Sequence, residues 1–284
     1  MPSARRREPI FKLPGVVVGL FIVLALVQIA QGVLSPESDA RFLALFAFTP
    51  GRFTYAFDPA GVIASLRASS GSLRQVGLFF LGDGATQPWT PLTYTLLHGG
   101  WVHLLSNSVW LAAFGAPVAR RVGALRFLGL FSLASIAGAA AQWLAQPFDL
   151  IPVVGASAGI SGLMAAAVRF VFQPGGPLGA RSEDENTDLA FQRPALSLTQ
   201  TFRDGRALAF IFMWFMVNLA FGLAAQPLGI TDGPIAWQAH IGGFIAGLIC
   251  FTFFDPSRRG FVDGGASPAT SAIETSLDSQ QDQG

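Results

Sequence analysis

The chain has 284 residues, 51% hydrophobic and only 12% charged, with a mean hydropathy of +0.50. Soluble domains carry about 25% charged residues, so half that share excludes an ordinary water-facing surface, and the apolar bulk excludes intrinsic disorder. The 18 Lys+Arg against 17 Asp+Glu give no electrostatic reason to expect nucleic acid as a partner, and the single Cys, Cys250, excludes an internal disulfide or a cysteine-rich metal cluster.

A bilayer core of about 30 Å takes about 20 apolar residues of helix. Six stretches reach that length, at about 14–34, 100–118, 122–144, 153–172, 207–225 and 234–254. The expected fold is therefore an all-α membrane protein, a six-transmembrane-helix bundle over residues 14–254 that follows a short N-terminus, 1–13. The first stretch follows basic residues as a secretory signal would, but its apolar run is too long and no A-x-A site follows, so an uncleaved span is expected. The first loop, about 35–97, mixes aromatics with Gly and Pro, and its short apolar runs at 42–48 and 76–81 are expected at the membrane interface. The loop at about 173–204, with SEDENTD and several prolines, reads as exposed and flexible, and 255–284, ending in SLDSQQDQG, as a disordered tail.

Basic residues set the orientation. With the N-terminus cytoplasmic, that side holds Arg5, Arg6, Arg7, Lys12, Arg120, Arg121, Arg126, Arg169, Arg181, Arg193, Arg203, Arg206, Arg258 and Arg259. The other side holds Arg41, Arg52, Arg67 and Arg74, all in a long loop where charge bears little on topology, and the short loops around Asp149 and Asp232 have no Lys or Arg. Both termini are expected to be cytoplasmic.

Ionisable groups inside a membrane are costly and are functional candidates by default. No Asp or Glu falls in the six spans; at membrane level stand His103 and Asn107 in the second, Ser157 and Ser161 in the fourth and His240 in the sixth, with His98 just before the second. His103, Ser157 and His240 lie about three, four and six residues into spans that start at the outer face, which places them in one layer about 5–10 Å deep. Asn107 shares the face of His103 one turn deeper. Gly155 with Gly159, Ala158 with Gly162, and Ala239, Gly243 and Gly247 recur at every fourth position, a spacing that lets helices four and six approach closely. A serine hydroxyl is a poor nucleophile until a base takes its proton, and a neutral imidazole does this near neutral pH. With no carboxylate in the spans, a Ser157–His240 dyad is the simplest catalytic reading. His103, the Asn107 amide and the backbone N–H of Ser157 are candidate donors to an oxyanion.

Each residue also has a plainer reading. Serine in a membrane helix commonly bonds the carbonyl one turn back, which suits Ser106, Ser108, Ser132 and Ser135. A lone membrane histidine is often a packing residue, and His98 beside Gly99 and Gly100 reads as a loop contact. Three histidines with no carboxylate or Cys in their layer give no reason to expect a metal, and nothing points to haem or another cofactor.

Three blocks together resemble the rhomboid family of intramembrane serine proteases: HGGWVHLLSN at 98–107, GASAGISGLM at 155–164 and AHIGGFIAG at 239–247. Each is weakly specific alone, but their order on alternate helices is strong, and the resemblance covers about 89–254. It implies Ser157 as nucleophile, His240 as general base, and His103 and Asn107 at the oxyanion hole. It also implies single-span membrane proteins as substrates, with a loosened helix and small residues near the cut. The chain departs from the family at Ala158, where a glycine is usual, and at Ser161, where an aromatic often packs on the base. It departs again at Trp89-Thr90, where the family has Trp-Arg, which puts the anchoring of the first loop in question. A Gly-x-Ser-Gly also occurs at Ser161, but the register of the whole block and its depth favour Ser157. The alternative reading is a catalytically inactive relative that binds transmembrane clients. A transporter would more naturally show internal repeats or midplane charge. Arg in place of Lys, with abundant Ala and Gly, suggests a GC-rich bacterium and hence its cytoplasmic membrane.

Overall fold

A computed structural model describes residues 13–179, 190–224 and 235–256. The basic residues at 5–7, 12, 181, 258 and 259, the SEDENTD run, Asp232 and the tail after 256 lie outside the described residues, as does the start of the expected sixth span. Among the described residues five helices are long and apolar enough to cross a membrane: α1 (Gly15–Val33), α7 (Trp101–Val122), α8 (Ala124–Ala145), α11 (Gly205–Ala224) and α12 (Trp237–Phe254). Between α1 and α7 the first loop folds into short helices, α2 (Pro36–Phe46), α3 (Pro50–Tyr55), α4 (Pro59–Ala68), α5 (Gly71–Leu81) and α6 (Thr90–Thr93). Proline opens α2, α3 and α4, where its missing N–H costs nothing.

The fourth expected span is different. Its helix, α9 (Ser157–Val171), has only 15 residues. Residues 152–156 remain non-helical, with Val153 bridged antiparallel to Phe48 and Gly155 at φ +122°, a conformation that excludes a side chain. The apolar run at 153–156 thus satisfies hydropathy without continuing the helix. At 1.5 Å per residue α9 is about 22 Å long, short of the roughly 30 Å hydrocarbon core. Every residue from Ala158 to Val171 is buried, so α9 is the hub of the bundle.

Small residues bring its neighbours in. Gly243 and Gly247 of α12 abut the carbonyls of Ala158 and Gly162, and Gly162 abuts Ala134 of α8. A Cβ at Gly138 of α8 would lie 2.6 Å from the Ala158 methyl, so glycine on α8 makes room for the alanine that replaces the family glycine. α7 and α8 form a hairpin about Gly123 alone, at φ +77°. Within α7 a π turn at Leu111–Gly115 precedes Pro117, which has no N–H to give to the ladder. α11 is the least embedded span, with only Ala207 and Asn218 buried.

Two sets of arginine contacts correct the composition-based picture. In the first loop, Arg52 is 5% exposed and donates to the carbonyls of Ala44, Phe80 and Ala85 and to Asp83. It ties α2, α3 and the end of α5 together, and the Trp89 indole adds a bond to the Leu45 carbonyl. The loop is therefore anchored although Thr90 stands where the family has arginine. At the opposite end of the bundle, Arg169 donates to the carbonyls of Leu196 and Leu248 and to Thr252. Arg121 pairs with Asp255 and donates to the carbonyls of Phe191 and Arg193. Residues 190–204, expected to be exposed and flexible, include buried Ala190, Phe191 and Thr201, and carry the short helix α10 (Leu198–Thr201). Asp255, expected to open the disordered tail, is buried in its ion pair.

Candidate active site

The first loop positions the segment that leads into α9. Tyr94, fully buried, donates its hydroxyl to the Ser135 carbonyl and accepts at its own carbonyl from the Gly155 N–H at 3.0 Å. With the Phe48–Val153 bridge, this fixes both ends of the strand-like entry. Ser157 then begins α9 rather than lying a turn inside it, and its backbone N–H is among the first four that a helix leaves without an internal partner.

The structure brings Ser157 and His240 together across the α9–α12 contact: Ser157 Oγ is 2.8 Å from His240 Nε2. His103, on α7, closes the third side. A Cβ at Gly155 would lie 2.9 Å from His103 Nε2 and 3.6 Å from Ser157 Oγ, so both atoms flank one small space that glycine keeps open. His103 Nδ1 accepts a long bond, 3.4 Å, from the Gly99 N–H, which leaves the proton of a neutral ring on Nε2, facing that space. Asn107 is buried one turn along α7, and its Nδ2 donates to no group among the described residues. Ser157, His103 and His240 are each partly exposed, whereas Asn107 is not.

Ser161 has a different environment. It is buried and donates to the Ser157 carbonyl at 2.8 Å, the back-bonding common to serine in helices. Ser108 and Ser135 do the same toward Leu104 and Phe131. His98 is 2% exposed and packs edge-on against the His103 ring at 5.1 Å. Burial first, then the neighbouring His103, pushes its imidazole down to about 4, so it stays neutral and serves to wedge the His103 ring. Among the described residues no group of three or more His, Cys, Asp or Glu is arranged to hold a metal ion.

One residue of the site is absent from the sequence reading. Asn218 of α11 places Oδ1 2.6 Å from His240 Nδ1, while its Nδ2 donates to the Trp237 carbonyl at 3.3 Å. The signal was present as a single amide in an otherwise apolar span, but such a residue reads equally well as a helix-packing contact.

The Rhomboid domain model matches residues 85–179 and 187–256. The chain is similar to RHOMBOID-like protein 7 of Arabidopsis thaliana, 26% identical over 239 residues, which are 84% of this chain and 64% of that protein. It is similar to rhomboid protease GlpG of Haemophilus influenzae, 27% identical over 175 residues, 61% of this chain and 73% of that one. Rhomboid protease GluP of Bacillus subtilis is 28% identical over 178 residues, 63% of this chain and 27% of that one. The chain thus spans less than two thirds of the plant relative. Relatives from a plant and from bacteria do not select one cellular membrane, but apolar helices and family together make this an integral membrane protein. With more than half of its length matched to the domain, the chain belongs to the rhomboid family.

Proposed function

We propose that this chain is an intramembrane serine endopeptidase that cleaves a peptide bond in or beside the transmembrane segment of a single-span membrane protein. The observation that carries the reading is the 2.8 Å contact between Ser157 Oγ and His240 Nε2, formed between two different helices at a partly exposed layer. His240 takes the Ser157 proton as Oγ attacks the carbonyl carbon of the substrate. The resulting oxyanion accepts from His103 Nε2–H and Asn107 Nδ2–H, and from backbone N–H groups at the positive end of α9. Collapse breaks the C–N bond, and His240 returns the proton to the leaving amine. Water, with His240 again as base, then hydrolyses the acyl-enzyme.

The short α9 supports this chemistry physically. If its inner end reaches the inner boundary, Ser157 lies about 8 Å below the outer one, within reach of water yet at the depth of a client helix. Taken as a sixth span, α9 completes the six-helix bundle. Arg121, Arg169 and Arg193 gather at the end of the bundle remote from Ser157, which under the positive-inside rule supports a cytoplasmic position for that end and for both termini. Composition favours the cytoplasmic membrane of a bacterium.

The test uses the full chain in proteoliposomes with a single-span reporter and a serine-reactive phosphonate. Ser157→Ala is expected to abolish cleavage and labelling, and Ser161→Ala to keep both. Cleavage by Ser157→Ala would overturn the assignment, and a folded wild-type chain that neither cuts nor labels would leave the client-binding reading in its place.

A further inference from the structure

The geometry points to Asn218 as the positioning residue of His240, the group that fixes which ring nitrogen carries the proton and so makes Nε2 a base toward Ser157. The inference rests on the serine-peptidase reading above and adds a third, neutral member to it.

The argument starts with the amide. An asparagine offers one acceptor, Oδ1, and two donors on Nδ2, and the hydrogen-bond network decides which end faces which partner. Here the Trp237 carbonyl is an acceptor 3.3 Å from Nδ2, so Nδ2 belongs on that side and Oδ1 faces His240. Turning the amide over would set oxygen against the carbonyl oxygen. At 2.6 Å from Oδ1, His240 Nδ1 must be the protonated nitrogen. A neutral ring then has its lone pair on Nε2, the atom 2.8 Å from Ser157 Oγ. The other tautomer would present an N–H to the serine and could not accept its proton.

Location supports the same role. α11 buries only Ala207 and Asn218, so the one polar side chain it turns inward is the one on the base. Ser161, buried and bonded to the Ser157 carbonyl, stands where the family often has an aromatic packed on that base. Among the described residues, the groups around His240 are His103 from α7, Ser157 from α9 and Asn218 from α11, while α8 meets α12 there through Ala137 and Ala141. None is a carboxylate. When His240 becomes an imidazolium its Nδ1–H still donates to Oδ1, and this bond strengthens as the ring gains charge.

The plain alternative is that Asn218 only glues α11 to α12. Asn218→Leu, close in volume, removes both the acceptor to His240 and the bond to the Trp237 carbonyl. Asn218→Asp gives up the same Trp237 bond but keeps the acceptor and adds a charge, so a difference between the two variants reports on the acceptor rather than on the glue. In proteoliposomes, Asn218→Leu is expected to lower kcat and the phosphonate labelling rate of Ser157 together by about 100-fold, with KM little changed. Asn218→Asp is expected to restore much of that rate at high pH and to move the acid limb of the kcat profile upward. Wild-type kcat in the Leu variant would overturn the inference. Should that variant fail to fold, an acid limb in Asn218→Asp unmoved from wild type would overturn it as well. Failure of the underlying reading is distinct: it appears as cleavage that survives His240→Ala, whatever Asn218 does.

Discussion

Gly138 is where the departure at Ala158 can be tested most sharply. In Gly138→Ala the new methyl would sit 2.6 Å from the Ala158 methyl, 2.7 Å from the Ala239 carbonyl oxygen and 3.3 Å from the Tyr94 hydroxyl. Carbon atoms prefer about 3.5–4.0 Å, so the first contact overlaps by about 1 Å. Neither Ala158 nor Ala239 has a flexible tip that can swing aside, so the helices must part. Overpacking of this kind costs about 1–3 kcal/mol. On the proposed reading its position makes it worse for function than for stability, because Ala158 adjoins Ser157 and Ala239 adjoins His240. A shift of about 1 Å between reacting groups can cost about 100-fold in rate. Gly138→Ala is therefore expected to unfold at a modestly lower temperature in detergent yet to cleave a reporter about 100-fold more slowly. Gly138→Ala/Ala158→Gly removes the methyl–methyl overlap and leaves the Ala239 contact, so it should recover part of both losses. Full activity and unchanged unfolding in Gly138→Ala would refute the close approach of α8, α9 and α12. A double variant no better than the single would place the damage at Ala239 alone.

Two further expectations concern Arg52 in the first loop and Asp149 in the turn before α9. Truncating one side of a buried charged network costs about 3–5 kcal/mol, but the Asp83 carboxylate is 76% exposed and adds little, so the loss in Arg52→Ala comes mainly from three stranded carbonyls. The first loop should then be cut readily in limited proteolysis, with Arg52→Lys intermediate because one ammonium cannot fork to Ala44, Phe80 and Ala85; a loop as resistant as wild type would count against the anchor. Burial holds the Asp149 carboxyl above its ordinary range, against the pull of the Ile151 and Leu150 N–H groups, so the fold favours its neutral form and loses that advantage as pH rises through the folded value. Asp149→Asn should raise the unfolding temperature at pH 7 and not below about pH 3.9, and an equal offset at both would sink the idea.

What could be read in the sequence followed from periodicity and cost. The five long helices lie within a few residues of the apolar runs because hydropathy over such lengths admits little else. The small-residue spacing correctly joined α9 to α12 through Gly243 and Gly247. The shortness of α9 was hidden, because Val153 and Ala156 are as apolar in an extended entry as in a helix, and the bridge to Phe48 comes from more than a hundred residues away. Arg52 stood as one of four arginines in the long first loop, with nothing to single it out, since the carbonyls that bury it belong to distant segments. Asn218 was missed for a related reason. A lone amide declares its partner only when the neighbouring helix is in place.

Among the described residues His240 meets His103, Ser157 and Asn218 and no acid, an arrangement with a physical logic that the buried arginines bring out. At one end of the bundle a permanent charge, Arg121, is held by Asp255 and by carbonyls, and Arg169 by carbonyls and Thr252, contacts that order loops and undergo no chemistry. On the proposed reading, the other end must create charge and then remove it, with an imidazolium and an oxyanion appearing together and vanishing when the bond breaks. A permanent carboxylate beside His240 would favour the imidazolium before substrate arrives, lowering the share of enzyme able to accept the serine proton at neutral pH. The neutral Oδ1 of Asn218 orients the same nitrogen while keeping the resting site uncharged, so its stronger bond is realised only as the proton moves. Asn218→Asp exposes the difference: its recovered rate should hold at high pH and fade toward neutral pH, whereas the native amide keeps its rate there.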